Sequence, residues 1–471
     1  MSKFKPDPGA FTGKSSRAVE PITKRRRPEP ARTAVVGVST PTETVEPVSA
    51  PPVVTASDLS GSRTLAFKCT LLFLFLRFSF LHEFASMTLH LDTHLLVILG
   101  VLAYTAWFMS GNLFTAFTER LAKVWMAFVI CLCLATVTST WKGGSLEVVL
   151  PYLRTALPIL LLVPAVTATP AELTRIVKVL GLSGIAITAF GLLHRSYDQG
   201  RMDISSAGSS IQDPNDFAAH LILLLPAVAF YCFGKGRSAV LKLLGTFVIG
   251  AALSEIMSTG SRGGLVALMA TVLFVAVTGT GRIRAAIFLG APVLVLLALP
   301  FVPHDAAQRL KSLFDSSAST ESAAASSDAR KALFMESLAV TAQHPLLGVG
   351  PGVFMDYQAG MAAERHQKGM WHETHNGYTQ ISSECGVPAL LLYLYSVFLT
   401  LKSLWKAWKG PNQEIAAAAR TLLIMVVAFN SSLVFLAQGY RFTMLVLVAI
   451  TVALNKIAAN FNSEVAEPAT S

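Results

Sequence analysis

The stretch WHETHNGYTQISSECGVPALLLYLYS, residues 371–396, gathers two histidines and two glutamates and then turns into an apolar run. His372 and His375 flank Glu373, and Glu384 follows before the apolar residues begin. A zinc-protease helix needs H-E-x-x-H, which sets two imidazoles on one face around a general-base glutamate. Here the run is H-E-x-H, one residue short. Two histidines at i and i+3 leave zinc binding open as one chemistry. The other is general-base work, in which an imidazole of near-neutral pKa takes a proton from a hydroxyl. The surroundings of the stretch decide between them.

Those surroundings are set by composition. Of 471 residues, 53% are hydrophobic and 14% charged, against roughly 25% charged in soluble domains. The apolar residues come in blocks of about 20, the length that crosses a hydrocarbon core of ~30 Å. The chain is therefore expected to be an all-α, multi-pass membrane protein. Its net charge of +10 fits lysine and arginine retained in cytoplasmic loops beside anionic lipid, and nucleic acid is not expected as a partner. The five cysteines fall mostly in apolar runs without a C-x-x-C pair, so they read as small core residues.

Residues 1–62 are rich in Pro, Thr, Val and Ala around a basic knot, Lys24 to Arg27, and lack helical or strand periodicity. They are expected to form a disordered cytoplasmic tail. The first apolar run starts too far from Met1 for a cleaved signal peptide. About 12 spans follow: nine within 63–303, three within 386–458, a large loop over 304–385 between spans 9 and 10, and a short tail over 459–471. Charge bias places Arg120, Lys123, Arg175, Lys178, Lys235, Arg282, Lys402, Lys406 and Lys409 inside, with both termini cytoplasmic. Lys142, Arg195, Arg201, Arg262 and Arg441 fall outside, against that bias.

Arginine kept on the outer side invites a functional reading. Arg262, in MSTGSRGGLVAL, stands at the mouth of a span among small residues that allow close backbone approach. In the large loop, Asp328 reads as a helix N-cap, which places Arg330 in the first turn of a helix running to Pro345. Helix-start amides and a guanidinium together make an anion site. Gly348, Gly350 and Gly352 mark a turn of close backbone approach. His375 and Asn376 then stand just above the span that begins near Gly386.

Cations on the outer side, one base and a lipid-accessible cleft are what transfer from a polyprenyl-pyrophosphate-linked sugar requires. Arginine stays charged and binds phosphate oxygens bidentately. No carboxylate cluster with metal-ligand spacing appears on that side, since Asp213, Asp216 and Glu373 are scattered, so electrostatic catalysis without metal or cofactor is the simpler expectation.

At this point the chain resembles the bacterial O-antigen ligase superfamily, which also contains O-antigen polymerases and protein O-oligosaccharyltransferases. The motifs that carry the resemblance are GRMDISSAGSSIQDPNDFAAHL, STGSRGGLVAL, DARKALFMESLAVTAQHPLLGVGPGVF and HNGYTQISSECGVPALLLY, in that order. The resemblance implies a GT-C-like helical membrane fold in the bacterial inner membrane, with the 304–385 loop periplasmic. It implies metal-independent transfer of a glycan from undecaprenyl pyrophosphate to lipid A core, to another glycan or to protein. It points to His375 as base and Arg262 and Arg330 as pyrophosphate ligands, with Arg201 and Asn215 as supporting groups; Asn376 and Arg441, on the same outer side, are expected to bind substrate with them. A multi-pass transporter is the alternative outside this family. The long N-terminal tail and Ala389, where the family often has glycine, depart from the pattern.

Overall fold

In the computed structural model the described residues are 56–466 without 91–93, 110–114, 199, 205–210, 212, 314–320, 365 and 367–371. The tail expected over 1–62 lies outside them as far as residue 55, and from Ala56 onward the chain is already helical.

The architecture is all-α. In chain order the helices are α1 (Ala56–Ser79), α2 (Leu81–Leu89), α3 (Leu95–Met109), α4 (Arg120–Val137), α5 (Lys142–Pro151), α6 (Leu157–Val166) and α7 (Pro170–Leu193). A two-stranded hairpin, β1 (Tyr197–Asp198) and β2 (Arg201–Met202), leads to α8 (Pro214–Phe233), α9 (Ala239–Ser258), α10 (Arg262–Thr278) and α11 (Gly281–Ala298). Then come α12 (His304–Lys311), α13 (Glu321–Gln343), α14 (Phe354–Glu364), α15 (Gly377–Trp408), α16 (Gln413–Leu433) and α17 (Phe442–Ala466).

Local chemistry sets the helix starts. Thr169 and Glu172 form a capping box at α7, with Pro170 at the first helical position, where its missing N–H costs nothing. Arg63 donates to Glu172 at 2.9 Å and to the Val166 carbonyl at 2.9 Å, which ties α1 to that corner. Asp213, Ser261 and Asn412 cap α8, α10 and α16 through their side-chain oxygens, each replacing a partner that the first-turn amides lack.

Nine helical segments among the described residues are long and apolar enough to cross a membrane, and the apolar helices α3 and α10 are shorter. Of the twelve expected spans, α1 also falls short of that criterion; it carries Arg63, Lys68 and Arg77. Two thirds of the apolar stretch of α16 and of α17 is buried, against 6% for α11. Hence α16 and α17 are the centre of the bundle, while α11 turns Phe288, Leu289, Leu296 and Leu297 outward. An exposed apolar face of that extent belongs against lipid. This is an all-α polytopic membrane protein. Its core includes Trp125, Phe128 and Tyr393 from α4 and α15, with Trp125 donating to the Tyr152 hydroxyl at 3.0 Å.

The segment between α11 and α15 holds three helices, and α15 starts at Gly377, ahead of the boundary expected near 386. The glycine turn behaves as its composition predicts: Gly348, Gly350 and Gly352 all have positive φ. Val349 and Gly350 donate to the Ser383 and Glu384 carbonyls at 2.9 Å. Those carbonyls are free because α15 breaks at Gly386 (φ 87°), leaving the preceding turn without its usual amide donors. The Glu384 carboxylate accepts from Gly352 N–H at 3.0 Å, from Phe354 N–H at 3.4 Å and from the Tyr440 hydroxyl. One buried side chain thus fastens the glycine turn, α14 and the α16–α17 loop to α15.

Candidate active site

Helix starts build the site. Arg262 is the first residue of α10, and His375 and Asn376 immediately precede α15. Arg330 projects from α13, and Val434 and Phe435 close the end of α16. Arg262, Arg330, Lys331, Thr374, His375 and Asn376 line one cavity of about 410 Å³, whose apolar wall includes Val266, Leu313, Phe334 and Phe435. α10 can approach α16 because Gly263 has no side chain; a Cβ there would stand 2.6 Å from Phe435 Cβ.

Arg201 sits behind this cavity. Its Nε donates to the Thr259 carbonyl at 2.7 Å and its Nη2 to Asn215 Oδ1 at 3.2 Å. Burial brings its pKa down to about 10; the charges of Arg309 and Arg330 act in the same direction, and Asp213 and Asp203 oppose them. Burial also lowers Arg330, with Asp213 opposing and Arg262 and Arg309 adding to the effect. Arg309 is lowered by burial and by Arg262. Arg262, Arg309 and Arg330 are therefore near enough to feel one another, and Arg201 feels Arg309 and Arg330, with Asp213 as the carboxylate counter-charge common to Arg201 and Arg330. Guanidinium groups so placed remain charged at neutral pH and form a concentrated positive field.

His375 has φ 50°, the left-handed region, where a residue with a side chain is held at a cost of order 1–3 kcal/mol. The strained residue aims the imidazole while Asn376 starts the helix. Burial lowers the pKa of His375, Arg330 and His372 lower it further, and Asp213 opposes. The ring is thus held neutral, the form that accepts a proton. The ring centroid of His372 lies 6.3 Å from that of His375. Among the described residues no group of three or more His, Cys, Asp and Glu gathers as metal ligands.

The expected residues divide into three sets. Arg262, Arg330, His375 and Asn376 share the cavity just described. Asn215, with Arg330, lines a narrow cleft that adjoins it through Gly263 and Phe435. Arg441 lies in a further cavity with Arg77, Asp216, His220 and Gln438, 4.0 Å from Glu373, whose carboxyl is raised by burial against the pull of Arg441.

Asn376 proves to be a cap: its Oδ1 accepts from Tyr378 and Thr379 N–H at 3.0 and 3.1 Å, and its Nδ2 donates to the Val434 carbonyl at 3.1 Å. Arg330 is not in a first turn, because α13 begins at Glu321. The run ESAAASS extends the helix upstream of Asp328, which sequence read as the cap, as its alanines favour. The anion field at Arg330 therefore comes from clustered guanidinium groups and not from helix-start amides. Lys331 and Arg309 were missed. Lys331 had a signal in its adjacency to Arg330, whereas α12 brings Arg309 in from a segment with no motif.

No curated protein matches the chain. Residues 245–394, which carry Arg262, Arg330, His375 and Asn376 but not Arg201, Asn215 or Arg441, match the family model described as O-antigen ligase. Over that segment, about a third of the chain, the protein is similar to the O-antigen ligase family.

Proposed function

We propose that the chain transfers a glycan from a polyprenyl pyrophosphate, undecaprenyl pyrophosphate in the bacterial inner membrane, to an acceptor hydroxyl on the periplasmic side. Both termini are then cytoplasmic and the α12–α14 segment periplasmic. The observation that carries the reading is one cavity holding Arg262, Arg330, Lys331 and a neutral-biased His375 against an apolar wall. Cations suit a pyrophosphate and the apolar wall suits the prenyl chain beside it.

In this reaction His375 accepts the proton of the acceptor hydroxyl as its oxygen attacks the anomeric carbon. The bond from that carbon to the pyrophosphate oxygen breaks, and the electron pair leaves on the pyrophosphate. Arg262 and Arg330 stabilise the growing charge, with Lys331 beside them and Arg201 and Asn215 behind. The His375 proton then passes to the departing pyrophosphate or to water, restoring the base. Fixed guanidinium charge stands where a divalent cation would otherwise neutralise phosphate. Asn376 acts by placing His375, and Arg441 by holding Glu373 next to it.

Long α15 supports the orientation. Past its break at Gly386 it runs on from Val387 to Trp408, roughly 33 Å at ~1.5 Å per residue. Lys402, Lys406 and Lys409 cluster at the end opposite His375, the pattern of a cytoplasmic face.

The test is glycan profiling of a deletion strain complemented with wild type, Arg262→Ala, Arg330→Ala or His375→Ala. Loss of product from all three, at wild-type protein levels, is expected. Normal product from all three sinks the reading. The deletion profile identifies the acceptor: polymer missing from lipid A core indicates a ligase, single-repeat products a polymerase, and unglycosylated protein a protein transferase.

A further inference from the structure

We propose a second substrate subsite, for an uncharged sugar residue of the glycan, in the cavity between Trp141 and α14. The inference rests on the glycan-transfer reading but not on any residue of the arginine cluster. The cavity measures about 420 Å³, a size that suits small ligands. Its chemistry is opposite to that of the first. Trp141, Asp356, Tyr357, Gly360, Met361 and Glu364 contribute to its lining, and among the described residues no lysine or arginine does.

Trp141 is 49% exposed. Its indole lies across Gly143 and Gly144: a Cβ on Gly144 would stand 2.8 Å from Cζ3, and one on Gly143 3.2 Å from Nε1. The two glycines let the ring approach the start of α5 closely, and the same side chain lines the cavity. The C–H face of a pyranose, slightly positive, docks on such a ring face, which carries the negative part of the aromatic quadrupole.

Opposite, Asp356, Gly360 and Glu364 are spaced by four residues along α14 and so lie on one side of that helix. A Cβ at Gly360 would meet nothing within 4 Å, so there is open space between the two carboxylates. Carboxylate oxygens accept from neighbouring sugar hydroxyls in short, charge-assisted hydrogen bonds, and they repel phosphate. The wall is fixed from behind. Tyr357 contacts His344 Nε2 through its hydroxyl at 3.1 Å, and Thr140 bonds the Val349 carbonyl through N–H at 3.0 Å and hydroxyl at 3.1 Å. An anionic lipid head-group does not suit this lining, whereas a polyhydroxylated sugar does.

The experiment uses full-length protein in detergent. One probe is the oligosaccharide released by mild acid from the host's own surface glycan, and the other is inorganic pyrophosphate. Trp141→Ala and, as a shape-conserving alternative, the double variant Asp356→Asn/Glu364→Gln are each expected to weaken oligosaccharide binding by about tenfold. Both should leave pyrophosphate binding unchanged. Arg262→Ala should do the reverse. Wild-type oligosaccharide affinity in Trp141→Ala and in the double variant overturns the subsite, as does failure of wild type to bind the oligosaccharide. The two readings fail separately. Normal transfer by Arg262→Ala removes the transferase reading, while undiminished sugar binding by Trp141→Ala removes only the subsite.

Discussion

Replacing Asn376 separates a residue that shapes the site from one that touches substrate. In Asn376→Ala the Tyr378 and Thr379 amides lose the Oδ1 that accepts both, a cap whose removal typically costs ~1 kcal/mol. The bond from Nδ2 to the Val434 carbonyl is also lost, worth about 1 kcal/mol more. Local opening of the first turn of α15 should become easier by about 2 kcal/mol, which is about 30-fold in amide exchange. Asn376→Asp keeps the cap and loses only the Val434 bond, so about fivefold is expected. Hydrogen exchange read by mass spectrometry over the peptide that begins at Asn376 measures both, and transfer activity should fall in the same order because His375 is the preceding residue. Unchanged exchange together with abolished transfer in Asn376→Ala would refute the reasoning and make Asn376 a substrate ligand.

Other outcomes follow from the same geometry. His372 lowers the pKa of His375, so His372→Asn should move the acid limb of the pH–rate profile to higher pH and leave the plateau rate intact. A limb that stays in place or moves down contradicts the assigned coupling. Gly263→Ala brings a Cβ to 2.6 Å from Phe435 Cβ, and overpacking of this kind costs roughly 1–3 kcal/mol; a lower melting temperature in detergent checks it. Glu384→Ala leaves the Phe354 amide and the Tyr440 hydroxyl without this acceptor, and the Gly352 amide with the Tyr440 oxygen in its place. A loss of about 3 kcal/mol or more is expected, read as faster thermal inactivation with Glu384→Gln in between.

The membrane class was legible because block length and charge bias are properties of local sequence. Arg262 and Arg330 stood out in sequence as cations on the outer side, and His375 as a titratable group at a span's mouth; that the three line one cavity, placed by caps at Ser261 and Asn376, came from the structure. Two features were hidden. The helical state of residues 321–327 turned on alanine propensity ahead of Asp328, whose side chain looked like the cap of a later helix start. The place of Arg309 and the separation of Arg441 into a cavity with Arg77 depend on how distant helices pack. No local pattern encodes that. Trp141 and α14 were likewise unremarked, because their shared cavity joins segments more than two hundred residues apart.

The most direct test of the central claim is single-turnover transfer by the purified protein in lipid bilayers, with a polyprenyl-pyrophosphate-linked glycan as donor. If His375 is the base, His375→Ala should bind donor normally and slow transfer by roughly 10²–10⁴-fold, the usual contribution of a general base. A transfer rate close to wild type in that variant would contradict the account.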